Sequence, residues 1–364
     1  MSDRFYSVSW ILALVTFCDV ATHAQTVDPL TSGFCGAPAA NSLVVPDPGV
    51  PGPVTLSTNA NCTYIQRQPG GPDLCVFVYQ DIQIAAAGVL ILSGARPAAL
   101  TARGTIFVQG VINADQAGSN TGSANGADTG NAAAGGGGAG GATIGASGGK
   151  NFLGGSGGFG GSAVPPVFVP LVGGSHGGAG GTTTTASGGR GGGALQVAAC
   201  GDLIVAAGAQ IRASGQGGSG GTAPAASPNS GGGGGSGGTL LLEGTNISIA
   251  GNVSANGGGG GGGGTTTISG QAGTDGRTDT QSAAGGLPGG AGAGMGGGGG
   301  LTSTPSPGGN AASNLGGAGG GGGAGGRIHI NACASLSVSG AVVSPVATTG
   351  STCPSDRIFA DGFE

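Results

Sequence analysis

The chain has 364 residues, of which 92 are glycine, and its formal net charge is −5. Glycine is far above its ordinary usage of roughly 7%, yet no strict Gly-X-Y period is present, which excludes a collagen helix. Only 7% of the residues are charged. This composition excludes charge-rich disorder and a basic nucleic-acid-binding surface, and so much glycine disfavours helices.

Residues 1–24 predict a signal peptide. The apolar stretch Trp10–Phe17 is too short to span a bilayer, and the small residues Thr22 and Ala24 precede a plausible cleavage site before Gln25. A membrane anchor is the alternative for this segment. No later segment is long and apolar enough to cross a membrane, so we expect an exported protein without a further transmembrane segment.

Residues 25–74 are predicted to be an N-terminal segment that caps the strands after it. Prolines are frequent in its Ser42–Leu56 stretch. Six cysteines remain after the signal peptide, and an even number in an exported chain suits disulfides. These possible disulfide cysteines are Cys35, Cys62, Cys75, Cys200, Cys333 and Cys353. We favour the pairs Cys62–Cys75, which closes a short loop, and Cys333–Cys353; the alternative for some of them is a buried, reduced thiol.

Four segments share one pattern of an apolar, any and apolar residue, a glycine-containing break, and a second apolar position. They are Thr105–Asp115, Asp202–Ser214, Asn246–Asn256 and Ser335–Ser344. The first apolar column contains Ile106, Leu203, Ile247 and Leu336, and a later column contains Ile112, Ile211, Val253 and Val342. Period-2 alternation indicates short strands with one buried face. Such strands bury that face only when copies stack column on column.

The repeat therefore predicts an all-β fold, namely a single-stranded parallel β-helix (a β-solenoid), right-handed, over residues 75–346. A flat β-sandwich is the alternative, although it does not explain columns at a fixed offset. Three of the segments follow a further short strand that begins after a glycine pair. These strands are Ala194–Ala198, Thr239–Glu243 and Arg327–Asn331.

Most of the glycine falls in three insertions of about 116–193, 215–238 and 257–326. Each interrupts the repeat at the same place, so we expect them to leave from one corner of the solenoid. One interpretation is flexible linker-like loops. The other is packed, extended glycine chains that resemble polyglycine II, with backbone bonds between neighbours. Apolar residues inside the first insertion favour some packing; they are Phe152, Leu153, Phe159 and Val164–Val172.

No catalytic, cofactor or metal site is predicted. His176 has no acidic or cysteine neighbour in sequence, and His329 alternates with Ile328 and Ile330, so that we expect it to face solvent. Asp275 and Asp279 suit a polar turn better than a weak cation site. Polysaccharide-cleaving β-helices need clustered carboxylates or basic groups, whereas here the charges are scattered along the strands, at Asp202, Arg212, Glu243 and Arg327.

The units GGTLLLEGTNISIAGNVSANGG and GGRIHINACASLSVSG resemble the glycine-rich parallel β-helix repeats of bacterial secreted and surface proteins of the adhesin-like type. The resemblance covers Cys75–Val346. It implies a surface-exposed adhesive or structural protein that has no set of catalytic residues.

Residues 347–364 form a C-terminal tail outside the repeat. Its end, Asp356–Glu364 (DRIFADGFE), resembles a short tail of secreted proteins from some Gram-negative bacteria, which implies a sorting signal. The alternatives are a frayed end, or a cap in which Ile358, Phe359 and Phe363 cover the last strands.

The leading expectation is an exported, non-catalytic structural or adhesive protein, secreted or on the outer surface of a Gram-negative bacterium. It needs no cofactor, binds no nucleic acid, and has a surface or glycan partner that the sequence does not identify. The first alternative is a carbohydrate-binding or carbohydrate-cleaving β-helix. The second is an ice- or surface-binding protein, suggested by outward Thr and Ser and by packed glycine chains.

Overall fold

The computed structural model describes residues 35, 41–47, 52–119, 121–122, 124–128, 134–181, 186–225, 227–301 and 304–351. The predicted signal peptide, Cys353 and Asp356–Glu364 lie outside these residues. Every regular element of the described part is a β-strand. In chain order the strands are β1 (Leu43–Val45), β2 (Val54–Ser57), β3 (Tyr64–Gln66), β4 (Leu74–Tyr79), β5 (Ile82–Ile84), β6 (Val89–Gly94), β7 (Ala98–Ala102), β8 (Ile106–Val108), β9 (Val111–Ala117), β10 (Ala194–Ala199), β11 (Asp202–Val205), β12 (Gln210–Arg212), β13 (Thr239–Ile249), β14 (Asn252–Ser254), β15 (Arg327–Val338), β16 (Val342–Ser344) and β17 (Thr348–Gly350).

The fold is all-β, but the predicted single-stranded parallel β-helix, and with it the solenoid over residues 75–346, is wrong. The strands form two separate sheets. Sheet A has 11 strands in the order β1-β5-β8-β11-β13-β10-β7-β4-β3, with β15 paired to β13 and β17 paired to β15. Sheet B has 6 strands, in the order β16-β14-β12-β9-β6-β2. Sheet B is parallel throughout, whereas sheet A is mixed.

The antiparallel pair in sheet A arises from a tight reversal before β4. Strand β3 runs antiparallel to β4, with Tyr64 opposite Val76. Between them the chain turns at Gly70, whose φ of 75° favours glycine. The Gly71 N–H donates to the Gln68 carbonyl at 3.1 Å and closes this turn. The Pro-Gly-Gly-Pro sequence therefore reverses the chain just before residue 75, where the predicted solenoid would have begun.

Sheet A curls into a half-barrel because β13 belongs to both of its halves. Thr239–Glu243 pairs with β10, and Asn246–Ile249 pairs with β11. The pairing of β13 with β15 is irregular between Gly244 and Asn246. The two halves of sheet A thus meet within one long strand, β13.

The residue columns that the sequence indicated do lie in parallel register. Leu203 pairs with Ile106 on one side and Ile247 on the other, and Ile247 pairs with Leu336. In sheet B, Ile211 lies between Ile112 and Val253. These side chains are buried in one apolar core, apart from Leu336, which is 38% exposed at the end of its column.

A second, smaller cluster covers the opposite face of sheet A. Leu171, in the Val164–Val172 stretch, is 1% exposed. Its neighbours in the cluster are Leu74, Val76, Ala99, Ala194 and Leu241. The Gln68 side chain holds this segment in place, since it accepts the Leu171 N–H at 2.7 Å and donates to the Leu171 carbonyl at 3.1 Å. Packing of this stretch against the strands is confirmed at Leu171.

Candidate functional site: a glycine-chain bundle and its apolar end

The glycine-rich insertions are packed extended chains. Four extended segments are hydrogen-bonded to one another and to surrounding chains, namely residues 134–141, 231–238, 256–264 and 316–326. We call these four the central chains. Gly136 donates to the Gly231 carbonyl at 3.0 Å, Gly231 to Ala318 at 2.9 Å, and Gly320 to Gly261 at 2.8 Å. The linker interpretation of the insertions is therefore wrong for these described segments.

The hydrogen bonds rotate around each chain with a period of three residues. Within 256–264, Gly257, Gly260 and Gly263 all donate to the chain 294–300. Gly258 and Gly261 instead donate to the chain 231–238, at 2.9 and 2.8 Å. A helix with three residues per turn and no internal hydrogen bonds is the polyglycine or polyproline II conformation. Each central chain thus bonds to several neighbours at once.

Glycine is required in the central chains because the backbones leave no space for a side chain. A Cβ built on Gly260 would lie 2.1 Å from the carbonyl oxygen of Gly320. One on Gly320 would lie 2.0 Å from that of Gly232. Backbone atoms cannot yield as the end of a flexible side chain does, so the run of glycines is a steric requirement of this packing.

The outer chains of the bundle present side chains at every third residue. In the chain 155–162 the exposed positions are Ser156, Phe159 and Ser162, while Gly158 and Gly161 between them are buried. The same spacing recurs in the next chain, where Ile144, Ser147 and Lys150 are exposed. The bundle is therefore an ordered scaffold that displays rows of side chains at a fixed spacing.

One end of the bundle carries large exposed apolar side chains on adjoining turns. The turn at 150–155 joins the turn at 310–316, because the Lys150 N–H donates to Asn310 Oδ1 at 2.8 Å and Ala311 donates to the Lys150 carbonyl at 2.9 Å. Thr265 forms an isolated bridge with Gly316, which brings in the turn at 265–268. We define the apolar end by four side chains with their exposed fractions: Phe152 (52%), Leu153 (88%), Ile268 (58%) and Leu315 (60%).

The apolar end differs from what the sequence indicated. Phe152, Leu153 and Phe159 were expected to favour packing of the first insertion, but all three are exposed, with Phe159 at 76%. The later part of that insertion covers the sheet at Leu171. No sequence signal separates these two outcomes, because burial here depends on contacts between distant turns.

Two ion pairs join charged side chains in the described part of the chain. The Asp115 carboxylate lies 3.3 Å from Arg212 Nε and accepts the Ser214 N–H at 2.6 Å. Burial raises the pKa of Asp115, against opposing effects of Arg212 and the Ser214 hydrogen bond. On the outer surface, hydrogen bonds from Arg277 lower the pKa of Asp279 to about 2.

The other polar residues singled out from sequence do not come together. His176 Nδ1 lies 3.3 Å from the Gly189 carbonyl oxygen. His329 is not simply solvated, since its Nδ1 lies 2.8 Å from Thr348 Oγ1 and its ring lies 5.0 Å from that of Phe168. Asp275 accepts the Gly217 N–H at 2.9 Å, a bond between residues 58 apart in sequence and not one within a local turn.

The scattered charges on the strands have separate local partners. The Gln196 amide donates to Glu243 at 2.5 Å, and the Asn246 amide donates to Asp202 at 2.9 Å. Arg327 donates to the Val164 carbonyl. Within the described ranges, no group of three or more His, Cys, Asp or Glu side chains is arranged to hold a metal ion.

The cysteines form disulfides. Cys62–Cys75 is present as predicted. Cys35–Cys200 joins the segment before β1 to the end of β10 and spans 165 residues of sequence. Cys333 is also disulfide-bonded, and Cys353, its predicted partner, lies outside the described residues.

In the described part of the chain, no helix has the length and apolar character that a membrane crossing requires. No protein-family model matches the chain, and no curated protein or solved structure matches it.

Proposed function

We propose that the protein is an exported, non-catalytic structural or adhesive component that attaches to surfaces through the apolar end of its glycine bundle. The observation that carries this proposal is the grouping of Phe152, Leu153, Ile268 and Leu315 on adjoining turns of one packed scaffold. Exposed apolar groups gathered in one place are typical of interaction surfaces.

The scaffold supports attachment because it keeps these side chains in place before contact. A flexible glycine loop would lose conformational entropy when it binds, whereas hydrogen-bonded chains have already lost it on folding. The two disulfides add covalent support and suit an oxidising, extracellular compartment. We propose a location outside the cell, secreted or on the outer cell surface, on the predicted signal peptide and the two disulfides.

Removal of the apolar end tests this function. We expect the variant Phe152→Ser/Leu153→Ser/Leu315→Ser to bind methyl-terminated sensor surfaces and native host cells about a hundredfold more weakly, because three exposed apolar anchors contribute on the order of 1 kcal/mol each. Quartz-crystal microbalance measurements on methyl- and hydroxyl-terminated surfaces give the comparison. Stability should change little, since the replaced side chains are exposed.

A matched control removes three apolar side chains of similar exposure from other parts of the molecule. The control Val44→Ser/Val167→Ser/Val346→Ser replaces residues that are 59%, 52% and 77% exposed. It should bind as the wild type does. Equal loss in both variants would show non-specific adsorption, and wild-type binding by the first variant would refute attachment through the apolar end.

A further inference from the structure

The apolar core is open at the outer edge of β15. Leu203 and Ile247 are at most 1% exposed, but Leu336, next in the same column, is 38% exposed. Val338 pairs with the buried Ile249 and is 49% exposed. On this side of β15 only His329–Asn331 has a strand partner among the described residues, namely β17.

The backbone of this edge also has N–H donors that face away from β13. Ser339 donates its N–H to the Ile249 carbonyl at 3.0 Å, toward β13. Because successive amides of a strand point in opposite directions, those of Leu336 and Val338 point away from β13. An exposed apolar strand edge of this kind pairs readily with another segment.

We infer that the C-terminal tail, residues 352–364, is the segment that closes this edge. Strand β17 already lies parallel to β15 on that side, with Gly350 opposite Asn331. The fourteen residues after Gly350 reach about 46 Å when extended, and the distance from Asn331 to Val338 along a strand is about 23 Å. The tail contains apolar Ile358, Phe359 and Phe363 to cover Leu336 and Val338.

The disulfide state of Cys333 supports the tail over a second copy of the chain. Cys333 is disulfide-bonded, and only Cys18 and Cys353 are left outside the other two bridges. Cys333 comes two residues after Asn331, and Cys353 comes three residues after Gly350, its partner in register. A Cys333–Cys353 bridge anchors the tail at the start of the open edge.

Hydrogen exchange in the full chain and in a chain that ends at Pro354 tests this inference. The truncated chain keeps Cys353, so the bridge and the described fold are retained. We expect the Leu336 and Val338 amides to exchange at least about tenfold faster after truncation, while the Ser339 amide, bonded to β13, is unchanged. Equal, fast exchange of Leu336 and Val338 in both chains would overturn the inference.

Two further measurements separate the tail from other occupants. Disulfide mapping should return a Cys333–Cys353 peptide, and a link from Cys333 to Cys18 or to another chain would overturn the inference. The variant Ile358→Ser/Phe359→Ser/Phe363→Ser should raise the Leu336 and Val338 exchange rates as truncation does. If protection of these amides in the full chain instead increases with protein concentration, a second copy covers the edge and the tail does not.

Discussion

Asp115 is a buried carboxyl whose surroundings raise its pKa. It lies at the end of sheet B, where β9 passes into the first glycine insertion, and accepts the Ser214 N–H from the next strand connection. Burial favours the neutral acid, and the nearby Arg212 only partly offsets this effect. Its folded-state pKa is therefore raised above that of the unfolded chain.

We predict that the wild type loses stability relative to the variant Asp115→Asn as pH rises. A group with a raised folded-state pKa binds its proton more tightly in the folded protein, so the wild type is most stable, relative to the variant, below the ordinary aspartate pKa of about 3.9. Urea unfolding of both proteins from pH 3 to pH 7 measures the difference, and parallel stability curves would contradict the prediction.

Asp279 provides a control of opposite sign. Its pKa is lowered to about 2, so its favourable contribution is present above the unfolded pKa and is lost as pH falls through about 2. Relative to Asp279→Asn, the wild type should therefore gain stability as pH rises over this lower range. Solvent screens this exposed pair.

The central glycine chains are the elements on which the bundle depends. We predict that Gly260→Ala destabilises the protein by about 3 kcal/mol, because the new Cβ would lie 2.1 Å from the Gly320 carbonyl oxygen and force two backbones apart. Thermal unfolding monitored by circular dichroism measures the change. The control Gly298→Ala places its Cβ 3.3 Å from the nearest atom and should cost less than about 1 kcal/mol. Equal effects of the two substitutions would contradict the close packing.

The sequence predicts where the strands lie better than it predicts how they are arranged. Alternation of apolar residues identifies β8, β11 and β14, and the offset of the columns predicts that Ile106, Leu203 and Ile247 pair in register. Periodicity does not encode strand direction, however. The antiparallel β3–β4 pair depends on the reversal at Gly70, and the curl of sheet A depends on β13 joining two sets of partners.

The state of the glycine insertions could not be decided from composition. The same Gly- and Ser-rich sequence suits a linker and a packed bundle. Long-range bonds separate the two, such as the one from Gly320 to Gly261. The apolar end was missed for the same reason, since the turns that carry Phe152 and Leu315 are joined by the bond from Lys150 to Asn310, which are 160 residues apart in sequence.

At the scale of the whole molecule, two sheets with a common apolar core support a bundle made from nearly side-chain-free backbone. The sheets obtain stability from buried aliphatic columns, and the bundle obtains order from backbone hydrogen bonds between chains. Division of the molecule in this way leaves the bundle's outer side chains available for contact. Attachment through the apolar end and closure of the β15 edge by the tail are independent proposals, because they concern different surfaces.

Hydrogen exchange of the central glycine amides tests the ordered bundle most directly. In the oxidised full chain we predict that the amides of residues 257–263 exchange about a thousandfold more slowly than in an unstructured peptide, because each donates to a neighbouring backbone and opens only with the bundle. NMR resolves glycine amides well enough for this measurement. Exchange of these amides at the rate of a free glycine-rich peptide would show that the insertions are flexible loops and would contradict the bundle.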